Sequence, residues 1–479
     1  MYDDFGFSRR ELLLRTAGGL GGIALACLLA EDKALAGQIE NPKSKIESPL
    51  PHFAPRAKRV VQIFCMGGVS HIDTFDYKPE LEKHDGKAMT GKGKVDTFFG
   101  QPGNLMKSPF AFRRRGRSGL WASDLLPNLA ECVDDMTFIR SMVSKSANHT
   151  PATFFMNTGF TMNGFPCLGA WLSYGLGTEN EDLPAFVVLP DSRGVPAGGS
   201  INWTSGFLPA THQGVAFGTG KEPIPDLFPA DPAVQAHLRE ASGFVGRMNR
   251  AYAAEDPGDS ALEARIRAYE LAAKMQVSIP EAVSIDTESE ATKRLYGLDN
   301  PASAPFGRNC LMARRLLERG VRFVQLCHGG AFGGNPRINW DAHEDIVDNH
   351  TRQAGTMDRP VAGLLRDLKA RGLLEDTLVL CTTEFGRTPI TQGLNAKGRD
   401  HHPHAFTVWM AGGGLKPGYA YGNSDEIGYS VDNPTTVYDF HATVLHLLGI
   451  DHKRLTFYHN GIQRRLTDVH GSVVGDVIA

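Results

Sequence analysis

The sequence is poor in the features that mark several function classes. Its seven cysteines include no C-x-x-C pair, which excludes a zinc ribbon or a thioredoxin motif. There is no C-x-x-C-H, no iron–sulfur spacing and no dinucleotide fingerprint set between a strand and a helix, so electron transfer has no carrier. An excess of one charge is also missing. Lys and Arg number 50 against 53 Asp and Glu, so no bulk basic field exists for sequence-independent binding of nucleic acid. After the N-terminal segment no 18 consecutive residues are apolar, which argues against a transmembrane segment in the mature chain. Glycine (53) and proline (28) together stay below the roughly 25–30% typical of low-complexity chains. No internal repeat is visible. What remains is 479 residues, 42% hydrophobic, enough to bury a core without disulfide or metal staples.

The N-terminus reads as an address. Ser8-Arg9-Arg10 precedes an apolar, Gly/Ala-rich run from Thr16 to Ala30, and Ala34-Leu35-Ala36 suits a signal peptidase. The run is shorter than the ~20 residues that span a bilayer. The pattern resembles a twin-arginine export signal over 1–36. The expected partner is the twin-arginine translocase, and the expected location is periplasmic or secreted. That route exports folded proteins, so a metal can be loaded before export. Lipid attachment at Cys27 is the alternative, on a poor lipoprotein box. Residues 37–57 are polar and read as a linker.

Short apolar runs follow: Arg59–Met66, Met136–Met142, Ala185–Pro190, Val321–Cys327, Thr377–Thr382 and Ala405–Ala411. Continuous runs of this kind predict strands of a parallel sheet covered on both faces. Cys65, Cys327 and Cys381 sit inside them as small buried hydrophobes. Helical patterns over Asn309–Arg319, Glu344–Arg371 and Thr435–Leu448 alternate with the strands, which predicts an α/β fold over 58–479. Residues 195–300 break the alternation. They are loop-rich, then helical over Asp231–Glu255 and Asp259–Val277, and read as an insertion or cap.

In α/β sheets sites form where strands end. Ser70, His71 and Asp73 follow the first run, offering ligands or an Asx-type turn. Ser144, Ser146, His149 and Thr150 follow the second. Pro151 suits a first helical turn with Thr150 as its cap, and a hydroxyl at a helix N-terminus suits phosphoryl or sulfuryl transfer. Ser146 and Thr150, with Ser144 or a bound water, compete as nucleophile. Asp341 and His343 supply a carboxylate and an imidazole, the mixture zinc or manganese takes. Glu384 sits just past a buried strand, where a carboxylate needs a partner or a metal. Arg387 pairs with it or clamps an oxyanion. Asp400, His401, His402 and His404 crowd five residues; Asp400 and His401 are the favoured ligands. Of 17 histidines, 11 fall from His328 onward. The expected metal set is thus His71, Asp73, Asp341, His343, Glu384, Asp400 and His401. The expected catalytic set is Ser146, His149, Thr150 and Arg387.

Four segments carry a family resemblance: Gly67-Gly68-x-Ser70-x-x-Asp73-x-Phe75-Asp76, Trp340-Asp341-x-His343, Glu384-Phe385-Gly386-Arg387-Thr388-Pro389 and Gly398-Arg399-Asp400-His401. The chain resembles the domain of unknown function 1501 family, which is placed with sulfatase-like proteins in the alkaline phosphatase superfamily. The resemblance implies a three-layer α/β/α sandwich with a mostly parallel sheet and a helical or loop insertion. It also implies a divalent metal site of one or two ions (zinc, manganese or calcium) that hydrolyses phosphate or sulfate esters. No Cys-x-Pro-x-Arg occurs, so formylglycine chemistry is excluded. The expectation is therefore an exported metal-dependent hydrolase of a small-molecule or glycan ester. The alternative is a noncatalytic exported ligand- or partner-binding protein on a degenerate hydrolase fold. The run Arg113-Arg114-Arg115-Gly116-Arg117 reads as a solvated loop, or as a patch for an anionic polymer.

Overall fold

The computed structural model describes residues 50–479, apart from residues 94, 96, 99, 219–231, 334–336 and most of 254–280. The expected signal segment, Cys27, most of the expected linker and most of the helix expected over Asp259–Val277 lie outside the described residues.

The strands used below are β1 (Arg59–Cys65), β2 (Met136–Val143), β3 (Phe186–Leu189), β4 (Val215–Ala216), β5 (Phe323–His328), β6 (Thr377–Thr382), β7 (Gly386–Thr391), β8 (Arg399–His402), β9 (Phe406–Ala411), β10 (Tyr419–Tyr421) and β11 (Thr435–Thr436). Nine of them form one sheet in the order β10-β2-β9-β6-β1-β5-β3-β4, with β11 also on β2. Every pairing is parallel except those of β9, which runs antiparallel to both β2 and β6. β7 and β8 form a separate antiparallel pair. All six apolar runs fall on sheet strands. The region 195–300 contributes β4 to the sheet edge, pairing with β3.

The helices used below are α1 (His149–Thr158), α2 (Leu168–Leu176), α3 (Pro232–Ala253), α4 (Ala304–Glu318), α5 (Ile346–Ala370) and α6 (Val437–Leu447). Side chains alternate across a strand, so β1 feeds two cores. Val61, Ile63 and Cys65 pack with Leu316 of α4 and Leu364, Leu365 and Leu368 of α5. Val60 and Phe64 pack with Phe155 of α1, Trp171 of α2 and Leu445 of α6. The result is a sheet between two helical layers, an α/β fold with a mostly parallel sheet.

Local chemistry sets the helix starts. Asp345 caps α5 by accepting from the N–H groups of Val347 and Asp348, and Thr436 with Asp439 forms a capping box on α6. α1 departs from expectation. Asn148, not Thr150, is its cap, because the Asn148 side chain accepts from the Thr150 N–H. His149 thereby becomes the first helical residue and Thr150 the second.

Candidate metal centre

The C-terminal ends of β1, β5 and β6 converge on one point, and glycines let the connecting segments touch. Gly67, past β1, has φ 111°, and a Cβ there would lie 2.5 Å from the Asp341 backbone nitrogen. Trp340 N–H donates to Met66 O at 2.8 Å, and its indole N–H donates to His328 Nδ1 at 3.0 Å. Asp341 is thus fixed by its neighbour's anchorage to β1 and β5. A Cβ on Gly398 would overlap the His343 carbonyl, so that glycine brings β8, with His401, against His343.

Three imidazoles surround the Asp341 carboxylate. Asp341 Oδ1 lies 2.7 Å from His343 Nε2, 3.2 Å from His401 Nε2 and 3.5 Å from His149 Nε2. Behind each ring an oxygen meets the other nitrogen. Glu384 Oε1 faces His149 Nδ1 at 2.7 Å, Ala147 O faces His401 Nδ1 at 2.6 Å, and Gln392 Oε1 closely faces His343 Nδ1. Those oxygens can only accept, so each Nδ1 carries the proton and each Nε2 presents its lone pair inward. His343 Nε2 and His401 Nε2 stand 2.9 Å apart, lone pair towards lone pair, and buried His149 Nε2 has no hydrogen-bond partner. A cation at their meeting point resolves both conflicts.

The electrostatics agree. Burial opposes ionisation of Asp341, but the Arg387 guanidinium and the close imidazoles of His149, His343 and His401 outweigh it and hold the carboxyl far below the usual carboxylate range. Burial drives His401 down to about 2, which keeps it neutral and ready to ligate. Burial also lowers His149, yet Asp341 and Glu384 prevail and raise it. One donor atom from each of His149, Asp341, His343 and His401 lies within 4.8 Å of the others. Three imidazoles and one carboxylate suit zinc, manganese or a related dication. Calcium, also in the expected set, takes oxygen ligands and fits this donor set poorly.

Residues 57–478 match the family described as Protein of unknown function (DUF1501). The chain belongs to that family. No curated protein matches the sequence. Among solved structures this DUF1501 chain is similar to the lipoteichoic acid synthase LtaP from Listeria monocytogenes (11% identity, TM-score 0.33), covering 88% of this chain and 78% of that one. It is similar to the PsFucS1 sulfatase from Pseudoalteromonas sp. (13%, TM-score 0.36; 86% and 74%). It is also similar to alkaline phosphatase from the Antarctic bacterium TAB5 (10%, TM-score 0.31; 75% and 92%).

Within the DUF1501 chain the sequence-derived candidates separate by position. Asp341, His343 and His401 meet as inward-facing donors, joined by His149 from the catalytic set. Glu384 and Asp400 stand behind them. Glu384 accepts from His149 and from Gly67 N–H at 2.9 Å. Asp400 accepts from the N–H groups of Phe98 and His401, with one oxygen 4.0 Å from His343 Nδ1. Asp73 and His71 lie elsewhere. Asp73 pairs with buried Arg399 at 2.7 Å and with Ser70, and His71 Nε2 meets Gly428 O at 3.0 Å. Arg387 is fully buried, with its guanidinium on Asp341 at 2.7 Å and on the carbonyls of Gly67, Gly68 and Arg399. Its fork is thus occupied by Asp341 and three backbone carbonyls. Ser146 Oγ accepts from Asn148 N–H at 3.0 Å, while Thr150 sits beside His149 at the start of α1. Three participants had no sequence signal: Ala147 acts through its carbonyl, Gln392 is one amide among many, and Arg337, 2.6 Å from Asp341 Oδ2, is an ordinary surface cation until Asp341 is placed.

Proposed function

We propose that this DUF1501 protein is an exported, metal-dependent hydrolase of phosphate or sulfate esters that works without formylglycine. The observation that carries the reading is the convergence of three Nε2 lone pairs and one carboxylate, each ring locked from behind. His149, Asp341, His343 and His401 would hold a zinc or manganese ion, which would supply Lewis-acid charge for a developing oxyanion. The chain supplies the rest. α1 begins at this cluster, and its first N–H groups favour an anion. Thr150, on that turn, is the hydroxyl we take as nucleophile over Ser146, which accepts from Asn148 N–H. Arg387 holds Asp341 from the core. Of the two arginines on Asp341, Arg337 is the one that reaches the surface (28% exposed against 0%), so it is the one able to meet an ester's oxygens. The substrate class is a small-molecule or glycan ester. The decisive experiment is metal analysis of the purified protein followed by assays on aryl phosphates, phosphodiesters and sulfate esters. Turnover that disappears in His401→Ala is expected; metal-loaded protein inert on all of them overturns the reading.

Export through the twin-arginine translocase to a periplasmic or secreted location is proposed on Arg9-Arg10 and the apolar run behind them. Among the described residues no helix is long and apolar enough to cross a membrane. Replacing both arginines by lysine should retain the protein in the cytoplasm.

One observation favours the second reading, a noncatalytic ligand-binding protein. Both Asp341 oxygens already meet arginines, Arg387 on Oδ1 and Arg337 on Oδ2, so cations stand beside the carboxylate before any metal arrives. Protein that binds no zinc or manganese yet stays folded favours this reading.

A further inference from the structure

A second cluster of soft donors lies between the sheet and α5, apart from the imidazoles. Cys65 ends β1, Cys381 is next to last in β6, and Met357 projects from α5. Cys65 Sγ lies 3.8 Å from Cys381 Sγ and 3.6 Å from Met357 Sδ. Both cysteines are free thiols. The three residues help line a cavity of about 30 Å³, above the roughly 10–15 Å³ that admits one water-sized sphere. Thr407, whose buried hydroxyl has no partner, lines the same space, so the cavity is not pure hydrocarbon.

We infer that Cys65, Cys381 and Met357 form a binding site for one soft monovalent cation, Cu(I). Thiolate and thioether sulfurs select Cu(I) over harder ions. Three sulfurs each about 2.3 Å from a common centre stand about 3.9 Å apart, close to the two separations measured from Cys65 Sγ. The charge also balances. Cu(I) displaces the Sγ proton of one cysteine to solvent and forms one bond to the resulting thiolate. The second thiol and the thioether bind as neutral donors. No electron moves, and the buried site stays uncharged, as a low-dielectric interior requires. Harder dications find better donors at His149, Asp341, His343 and His401.

The test is anaerobic titration of the purified, zinc-saturated full-length protein with tetrakis(acetonitrile)copper(I) against a chromophoric Cu(I) chelator, followed by copper X-ray absorption. One Cu(I) per chain with a sulfur-only first shell is expected, retained in His401→Ala and lost in Cys381→Ala. Met357→Leu conserves volume and so keeps the fold; it is expected to weaken Cu(I) about tenfold. No retained copper, nitrogen in the first shell, loss in His401→Ala, or unchanged affinity in Met357→Leu overturns the inference.

Discussion

Behind each imidazole of the cluster stands an oxygen, and behind His149 it belongs to the Glu384 carboxylate at 2.7 Å. Glu384→Gln keeps the shape of that contact and removes its charge. Zinc affinity should fall about 10–100-fold, read by chelator competition, with the circular dichroism unchanged. Asp341→Ala is harsher, because Arg387 stays buried without its carboxylate. Breaking a buried pair from one side costs about 3–5 kcal/mol, so urea unfolding should show a loss of that order besides the loss of metal. The raised pKa of His149 gives a pH dependence whose sign is fixed. In metal-free protein its protonated form is favoured by folding. That stability is fully present below the unfolded value of about 6.5 and is lost as pH rises through the raised folded value. Zinc competes for the same nitrogen as the proton, so zinc affinity runs the other way and climbs until the pH passes the raised value. Zinc titrations from about pH 6 to 8 check this, and an affinity flat across that range contradicts it.

The element that matters most to the site is α1, since its first residue, His149, is one of the proposed ligands. Asn148→Ala removes the cap and should cost about 1 kcal/mol. Because His149 is the next residue, it should also weaken zinc binding. Thr436→Ala removes the equivalent cap from α6 and should cost a similar amount with zinc affinity intact. Equal effects of the two on zinc would mean that the α1 start does not position His149. Elements also differ in how plainly they are written. The six apolar runs mark sheet strands because burial on both faces demands continuous hydrophobicity. β4, β10 and β11 escape notice, being two or three residues at sheet edges. The β7–β8 pair escapes for another reason: its Arg387, Arg399, Asp400 and His401 make no apolar run, yet all are buried. Their burial is tolerable only because Asp341, Asp73 and backbone groups meet them, and those partners are far away in the chain.

For the whole molecule, a metal bound by the proposed ligands on α1, the segment after β5 and β8 would couple site occupancy to folding. Zinc at about 100 times its dissociation constant should add about 2.7 kcal/mol to unfolding stability, and His401→Ala should abolish the gain; thermal melts with and without chelator measure both. The two-core architecture follows from local hydrophobic pattern, so the order and type of the main strands and helices were readable in the chain itself. So were the strand ends that carry chemistry, because acids, histidines and hydroxyls there follow apolar runs. Which of them would meet was not readable. His71 and Asp73 follow β1 in the text as plausibly as His343 follows β5, yet Arg399 claims Asp73 while His149 joins the imidazoles. The assignment rests on close approaches at Gly67 and Gly398 and on which buried charge finds which partner. Those are distances across the fold, and periodicity along a chain carries no information about them.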